Sequence, residues 1–148
     1  MSILYTAEAT AVGGRDGGVK SADGVLDLQL AVPAAMGGPG GAKTNPEELF
    51  AAGYSACFLG ALKLVASREK VSVHEATVTA KVGIGPNDSG GFGLEVELGV
   101  VMPKADAESA ARVVRGAHGV CPYSNATRGN IPVRLTVAAS GTAPVTLD

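Results

Sequence analysis

Residues 44–69 read TNPEELFAAGYSACFLGALKLVASRE, and the way this stretch hides its apolar side chains decides what fold the chain can adopt. Thr44 or Asn45 is a good helix cap, Pro46 suits the first helical position, and Glu47 and Glu48 complement the positive end of the helix dipole. The segment predicts one helix from there to about Glu69. Leu49, Phe50, Tyr54, Phe58, Leu59, Leu62 and Leu64 point in every direction around it, with Ala and Gly between them, so it must be covered on all sides.

The flanking sequence supplies the cover. In VLDLQLAV (25–32) the residues Leu26, Leu28, Leu30 and Val32 share one face; in LEVELGVVM (94–102) Leu94, Val96, Leu98, Val100 and Met102 do; in IPVRLTV (131–137) Ile131, Val133, Leu135 and Val137 do. ILYTAEATAV (3–12) and ATVTAKVGI (76–84) alternate in the same way, which predicts at least five strands, mostly antiparallel because each keeps one polar face. A second helix is expected over Asp106 to Ala117, ended by Gly119, and a short helical turn from Pro122 with Cys121 as its cap. Glycine clusters at GGRDGG (13–18), GGPGG (37–41) and GIGPNDSGGFG (83–93) mark loops. One five-stranded sheet with a single buried face covers only one side of the apolar helix. The residues therefore point to an α+β fold in which the sheets of two chains enclose two central helices, with a monomer whose sheet folds over itself as the other solution.

At 148 residues the chain fits one domain, 1–148. A net charge of -2 and 4% aromatic residues give no basic stripe or stacking platform, so nucleic acid is not expected as a partner. The N-terminus lacks a basic region followed by a long apolar run, and the uncharged stretch from Leu49 to Leu62 is too short to span a bilayer, which predicts a cytoplasmic protein with no membrane partner. No glycine cluster carries the Lys-Ser/Thr of a phosphate loop or the strand-to-helix GxGxxG setting of a dinucleotide site. Cys57, Cys121, His74 and His118 lack close ligand spacing, so no metal or other cofactor is expected.

Two readings of Cys57 stand on the residues alone. A mid-helix cysteine among apolar neighbours is an ordinary core residue. As a reagent it needs to be a thiolate, and it lies about three turns into the helix, beyond the reach of the N-terminal dipole, where burial raises its pKa; a cation has to stand beside it. Lys63 and Arg68 are poorly placed on the same helix, whereas Arg15 can be delivered from the glycine loop GGRDGG.

GGRDG, TNPEELFAAGYSACF and VCPYSNATRGN, in this order over almost the full chain, resemble the organic hydroperoxide resistance proteins of the osmotically inducible protein C family. No functional position departs from the pattern; Glu48 stands where relatives often carry glutamine. The resemblance implies that Cys57 is the peroxidatic cysteine and Cys121 the resolving one, that Arg15 lowers the thiolate pKa and polarises the peroxide, and that Glu47 orients Arg15. It further implies an intertwined homodimer with each site built from both chains, an organic hydroperoxide substrate, and a dithiol reductant such as a lipoylated protein. On a continuous helix Glu47 and Cys57 would be about 15 Å apart and rotated by about 80°, so either the helix begins after Glu47 or Glu47 and Arg15 serve the partner's cysteine. Met36, Phe50, Tyr54 and Phe58 are candidates to line an apolar substrate site, and the same residues could equally be core. A dimer that binds a lipid and keeps its cysteines idle is the alternative of a different class.

Overall fold

A computed structural model describes residues 1–147 and resolves into two compact units, Met1–Leu49 and the chain from Phe50 onward. The first unit holds an antiparallel sheet in the order β1 (Ala9–Val12), β2 (Gly18–Ser21), β3 (Asp27–Gln29). Only residues 9–12 of the expected 3–12 stretch form a strand, and β2 was hidden from the sequence because GVKS is too short to show a period. The 25–32 stretch keeps three residues in β3. Of its predicted buried face only Leu30 is buried, while Leu26 lies exposed. Leu30 leaves the ladder to donate its N–H to the carbonyl of Gly17 and to form a parallel bridge with Thr44, which breaks the alternation.

Helix α1 runs Pro46–Glu69, with both ends as the sequence predicts. Asn45 Oδ1 accepts from the Glu48 N–H at 2.9 Å, the bond that fixes a helix start. The second unit adds β4 (Thr77–Pro86), β5 (Phe92–Met102), α2 (Ala107–Val120), α3 (Pro122–Thr127), β6 (Val133–Ala139) and β7 (Val145–Leu147), with the strands in the order β4-β5-β6-β7. Asp106 caps α2 through Ser109 N–H at 2.9 Å. The helix passes through Gly119 and ends one residue later, at Val120; Cys121 then separates it from α3.

The expectation of mostly antiparallel strands holds: among the described residues four of the five pairings are antiparallel, and β5-β6 is parallel from Val96–Val133 to Met102–Ala139. Alternation fixes which face a strand buries but not the direction of its neighbour. Here α2 and α3 carry the chain back to the starting end, as a parallel pair requires.

The core of this unit is the inner face of β5 (Val96, Leu98, Val100, Met102) and β6 (Leu135, Val137, Ala139) against α1 and α2. Of α1 one stripe is buried: Tyr54, Phe58, Ala61, Leu62, Val65 and Ala66. Ala52, Ala56, Gly60 and Leu64 remain exposed, so within one chain the helix is not covered on all sides. By length and composition α1 as a whole is long and apolar enough to cross a membrane, which the shorter uncharged run was not expected to be. Its buried stripe is that of a core helix.

Helix α2 meets α1 closely at Gly116, where an added Cβ would fall 2.8 Å from Val65 Cγ1. Gly116→Val is expected to destabilise by about 1–3 kcal/mol through overpacking, lowering Tm by roughly 3–10 °C in a chain of this size. Thermal unfolding followed by circular dichroism checks this, and an unchanged Tm would contradict the close contact.

Candidate active site

In the first unit the glycine loop turns the chain from β1 into β2 through a single 3-10 turn, Gly14–Asp16. Gly13 and Gly14 take positive φ values of 76° and 58°, a region open to glycine at little cost. At Gly17 a Cβ would lie 1.7 Å from the carbonyl oxygen of Val12. This tight reversal presents Arg15, whose Nη1 and Nη2 donate to Glu47 Oε2 at 2.9 Å and Oε1 at 2.6 Å.

The first turn of α1 sorts its two carboxylates. Glu48 accepts the Thr44 hydroxyl at 2.8 Å and its N–H is taken by the Asn45 cap, while Glu47 faces Arg15 with its side chain only 11% exposed. The forked geometry gives two charge-assisted bonds. Hydrogen bonding from Arg15 holds the Glu47 carboxyl below the usual carboxylate range, and the Arg15 guanidinium is correspondingly raised. Because α1 already begins at Pro46, Glu47 belongs to the helix rather than to a loop folded back over it.

In the second unit Cys121 Sγ lies 3.7 Å from Cys57 Sγ and points its thiol at it; both are free thiols, Cys121 buried and Cys57 half-buried. Residues 64 positions apart meet because Cys121 occupies the extended joint between α2 and α3, with φ -66° and ψ 124°. Burial pushes the Cys57 thiol up; the Tyr123 backbone N–H beside its sulfur works the other way, and the neighbouring Cys121 thiol adds to the rise.

Tyr123 is set by an aromatic group with Phe50 and Tyr54, the centroids 5.6 to 6.0 Å apart. Its ring lies over Gly53, where a Cβ would come within 2.9 Å of the Tyr123 oxygen. Of the candidate lining residues, Tyr54 and Phe58 are fully enclosed in the core, Phe50 is half-buried, and Met36 is exposed in the 3-10 turn Ala34–Met36 of the first unit.

Sequence reasoning missed Tyr123, Gly53 and a buried polar group beneath the thiols. Tyr54 Oη and Ser124 Oγ share a hydrogen bond of 2.9 Å, Ser124 Oγ lies 3.0 Å from His118 Nδ1, and Thr127 Oγ1 is 3.3 Å from Tyr54 Oη. The available signal was the proline of CPYS, which opens a helical turn whose first amides have no partner inside the helix. No group of three His, Cys, Asp or Glu side chains able to hold a metal occurs among the described residues. A groove of about 540 Å³ over β4 to β6 is lined by Lys81, Glu97 and Arg134, whose charges neutralise one another at 2.8 and 3.6 Å.

A depressed carboxyl pKa stabilises the fold above the unfolded-state value, about 4.3 for Glu, and the contribution is lost as pH falls through the folded value. Glu47→Gln is therefore expected to cost at most about 1 kcal/mol, as for a part-exposed pair. The loss should be constant from pH 8 to pH 5 and should shrink only under more acidic conditions. Denaturant midpoints of the two proteins across pH test this, and a difference that already fades by pH 6 would show the pair unformed.

The family model described as OsmC-like protein matches residues 38–136. The organic hydroperoxide resistance protein of Xanthomonas axonopodis pv. citri is 53% identical over 137 residues, 92% of this chain and 96% of that one. OhrA of Bacillus subtilis, also named an organic hydroperoxide resistance protein, is 50% identical over 140 residues, covering 91% and 96%. The crystal structure of an organic hydroperoxide resistance protein from Elizabethkingia anophelis superposes with a TM-score of 0.90 at 56% identity, over 95% of this chain and 100% of that one. With GGRDG, NPEEL, the Cys57 helix and the Cys121 joint all in place, the chain belongs to the OsmC-like family, among its organic hydroperoxide resistance proteins.

Proposed function

We propose that this protein is a cysteine-based peroxidase that reduces organic hydroperoxides to alcohols. The observation that carries the reading is the pair of free thiols 3.7 Å apart, one on an apolar helix and one at a joint between helices. A mobile water-soluble redox pair would not need such a place; a reagent for apolar substrates does.

Cys57 thiolate attacks one peroxide oxygen of ROOH. A sulfur–oxygen bond forms as the oxygen–oxygen bond breaks, alkoxide leaves and takes a proton to become ROH, and Cys57 is oxidised to the sulfenic acid. Cys121 then attacks that sulfur and water departs, leaving a Cys57–Cys121 disulfide. A dithiol, such as the lipoyl group of a carrier protein, returns both thiols by exchange and is itself oxidised to its disulfide.

The thiolate requires a cation, and Arg15 is the residue assigned to it, held in orientation by Glu47. In this reading each chain is half of an intertwined homodimer, and the Arg15–Glu47 pair of one chain serves Cys57 of the other. Two observations support a second chain. Ala52, Ala56, Gly60 and Leu64 leave one face of α1 uncovered, and Val12, Val25 and Leu26 are exposed on or beside the small sheet. Met36 and Phe50 are the lining residues with surface to offer an alkyl chain, while Tyr54 and Phe58 back them from the core. The reaction belongs in a reducing cytoplasm, where the disulfide persists only until its dithiol arrives.

Reduced protein mixed with one equivalent of cumene hydroperoxide is expected to lose two thiols, with Cys57→Ser inert and Cys121→Ser stopping at a sulfenic acid detectable by mass. Burying three to four methylene equivalents at about 0.8 kcal/mol each makes the organic peroxide roughly 100-fold faster than hydrogen peroxide. Unchanged thiols in the wild type would contradict the proposal and favour an apolar-ligand-binding dimer with idle cysteines.

A further inference from the structure

The buried polar group under the thiol pair has no part in the chemistry above, and its placement is informative. Tyr54 sits three residues before Cys57, His118 three before Cys121, and Ser124 three after it. Their side chains are joined in one line, Tyr54 Oη to Ser124 Oγ at 2.9 Å and Ser124 Oγ to His118 Nδ1 at 3.0 Å. Thr127 extends the line, 3.3 Å from Tyr54 Oη, while its own hydroxyl donates to the Tyr123 carbonyl at 3.0 Å. Three helices are thus pinned to one another by residues one helical turn from the two cysteines in sequence.

Ser124 and Tyr54 are completely buried and Thr127 nearly so. No buried side-chain nitrogen or oxygen among the described residues lacks a partner, so the group is fully satisfied. Apolar residues of the same shape would pack such a core about as well, and only hydrogen bonds fix direction and register. Burial, with a smaller push from Arg128, lowers the His118 pKa; the neutral ring has one N–H donor and one acceptor nitrogen, and either can meet the Ser124 hydroxyl. Arg128 in turn donates to the His118 carbonyl at 2.7 Å and to Asn125 Oδ1 at 2.7 Å, closing the outer side of the joint.

We infer that Ser124 and His118, with Tyr54 as their anchor on α1, are positioning residues for the resolving step: they hold the α2–α3 joint so that Cys121 stays within closing distance of Cys57. This rests on the peroxidase reading for its biological meaning and on geometry for its content. The sulfurs need to move from 3.7 Å to the bonded distance of about 2.05 Å, a short approach if the joint is fixed and a search if it is loose.

The test compares Ser124→Ala, His118→Leu and His118→Asn with wild type; Asn places an amide near the position of Nδ1. After mixing with cumene hydroperoxide, sulfenic acid formation is expected within about two-fold of wild type in all of them, since the joint group beside the Cys57 sulfur, the Tyr123 backbone N–H, is retained in each variant. Disulfide closure is expected to slow about ten-fold in Ser124→Ala and His118→Leu, the worth of one buried hydrogen bond, with a matching rise in Cys57 sulfinic acid, and to recover in His118→Asn. Independently of any peroxide, equilibration with a glutathione buffer measures the effective concentration of one thiol toward the other, which should fall about ten-fold in the same two variants. Wild-type closure rates together with wild-type effective concentration would overturn the inference, even where Tm has dropped. If the wild type proves inert to peroxide, the peroxidase reading falls and the glutathione equilibrium still decides the positioning role.

Discussion

A thiol half-buried among apolar side chains ionises only with help, and the proposed function of Cys57 turns on that constraint. Cys57 occupies a helix whose buried stripe is Tyr54, Phe58, Ala61, Leu62, Val65 and Ala66. Such surroundings suit an alkyl hydroperoxide and oppose a thiolate. The Tyr123 amide offsets part of the opposition. In the proposed mechanism the rest comes from a fixed positive charge, and the two forked hydrogen bonds between Arg15 and Glu47 keep a long, flexible guanidinium in one orientation.

The second requirement is that oxidation be closed quickly. A sulfenic acid in an apolar site is exposed to a second peroxide, and a sulfinic acid is a dead end for most enzymes. In the proposed cycle Cys121, at the joint between α2 and α3, answers this, because the joint lacks the rigid backbone of either helix while its flanks are tied down by side-chain bonds. In that reading the charge device is a glycine-made hairpin and the closure device a helix break. Each uses local backbone geometry that glycine or proline makes possible, at Gly13 and Pro122.

What the sequence made legible follows the range of each interaction. The start and end of α1, the start of α2 near Asp106 and the turn after Cys121 are written in neighbouring residues, and each is found where it was expected. The inner faces of β5 and β6 follow from alternation. The parallel pairing of β5 with β6 does not, because periodicity carries no information about a neighbour's direction. β2 was too short to show a pattern, and the stretch 25–32 forms a strand only over Asp27–Gln29. The Arg15–Glu47 and Cys57–Cys121 pairs, separated by 32 and 64 positions, were anticipated through family resemblance, since no local rule pairs them. The Tyr54–Ser124 bond spans 70 positions and had no such guide: a serine in CPYSNAT looks like any turn residue until the fold buries it.

The central claim is that a cation on the glycine hairpin creates the Cys57 thiolate. It is tested most directly by titrating the thiolate absorbance near 240 nm in a Cys121→Ser background, with and without Arg15→Ala. The account predicts that Cys57 ionises well below the ordinary thiol value of about 8.5 when Arg15 is present, and above it when Arg15 is removed. Superimposable titrations in the two proteins would contradict it.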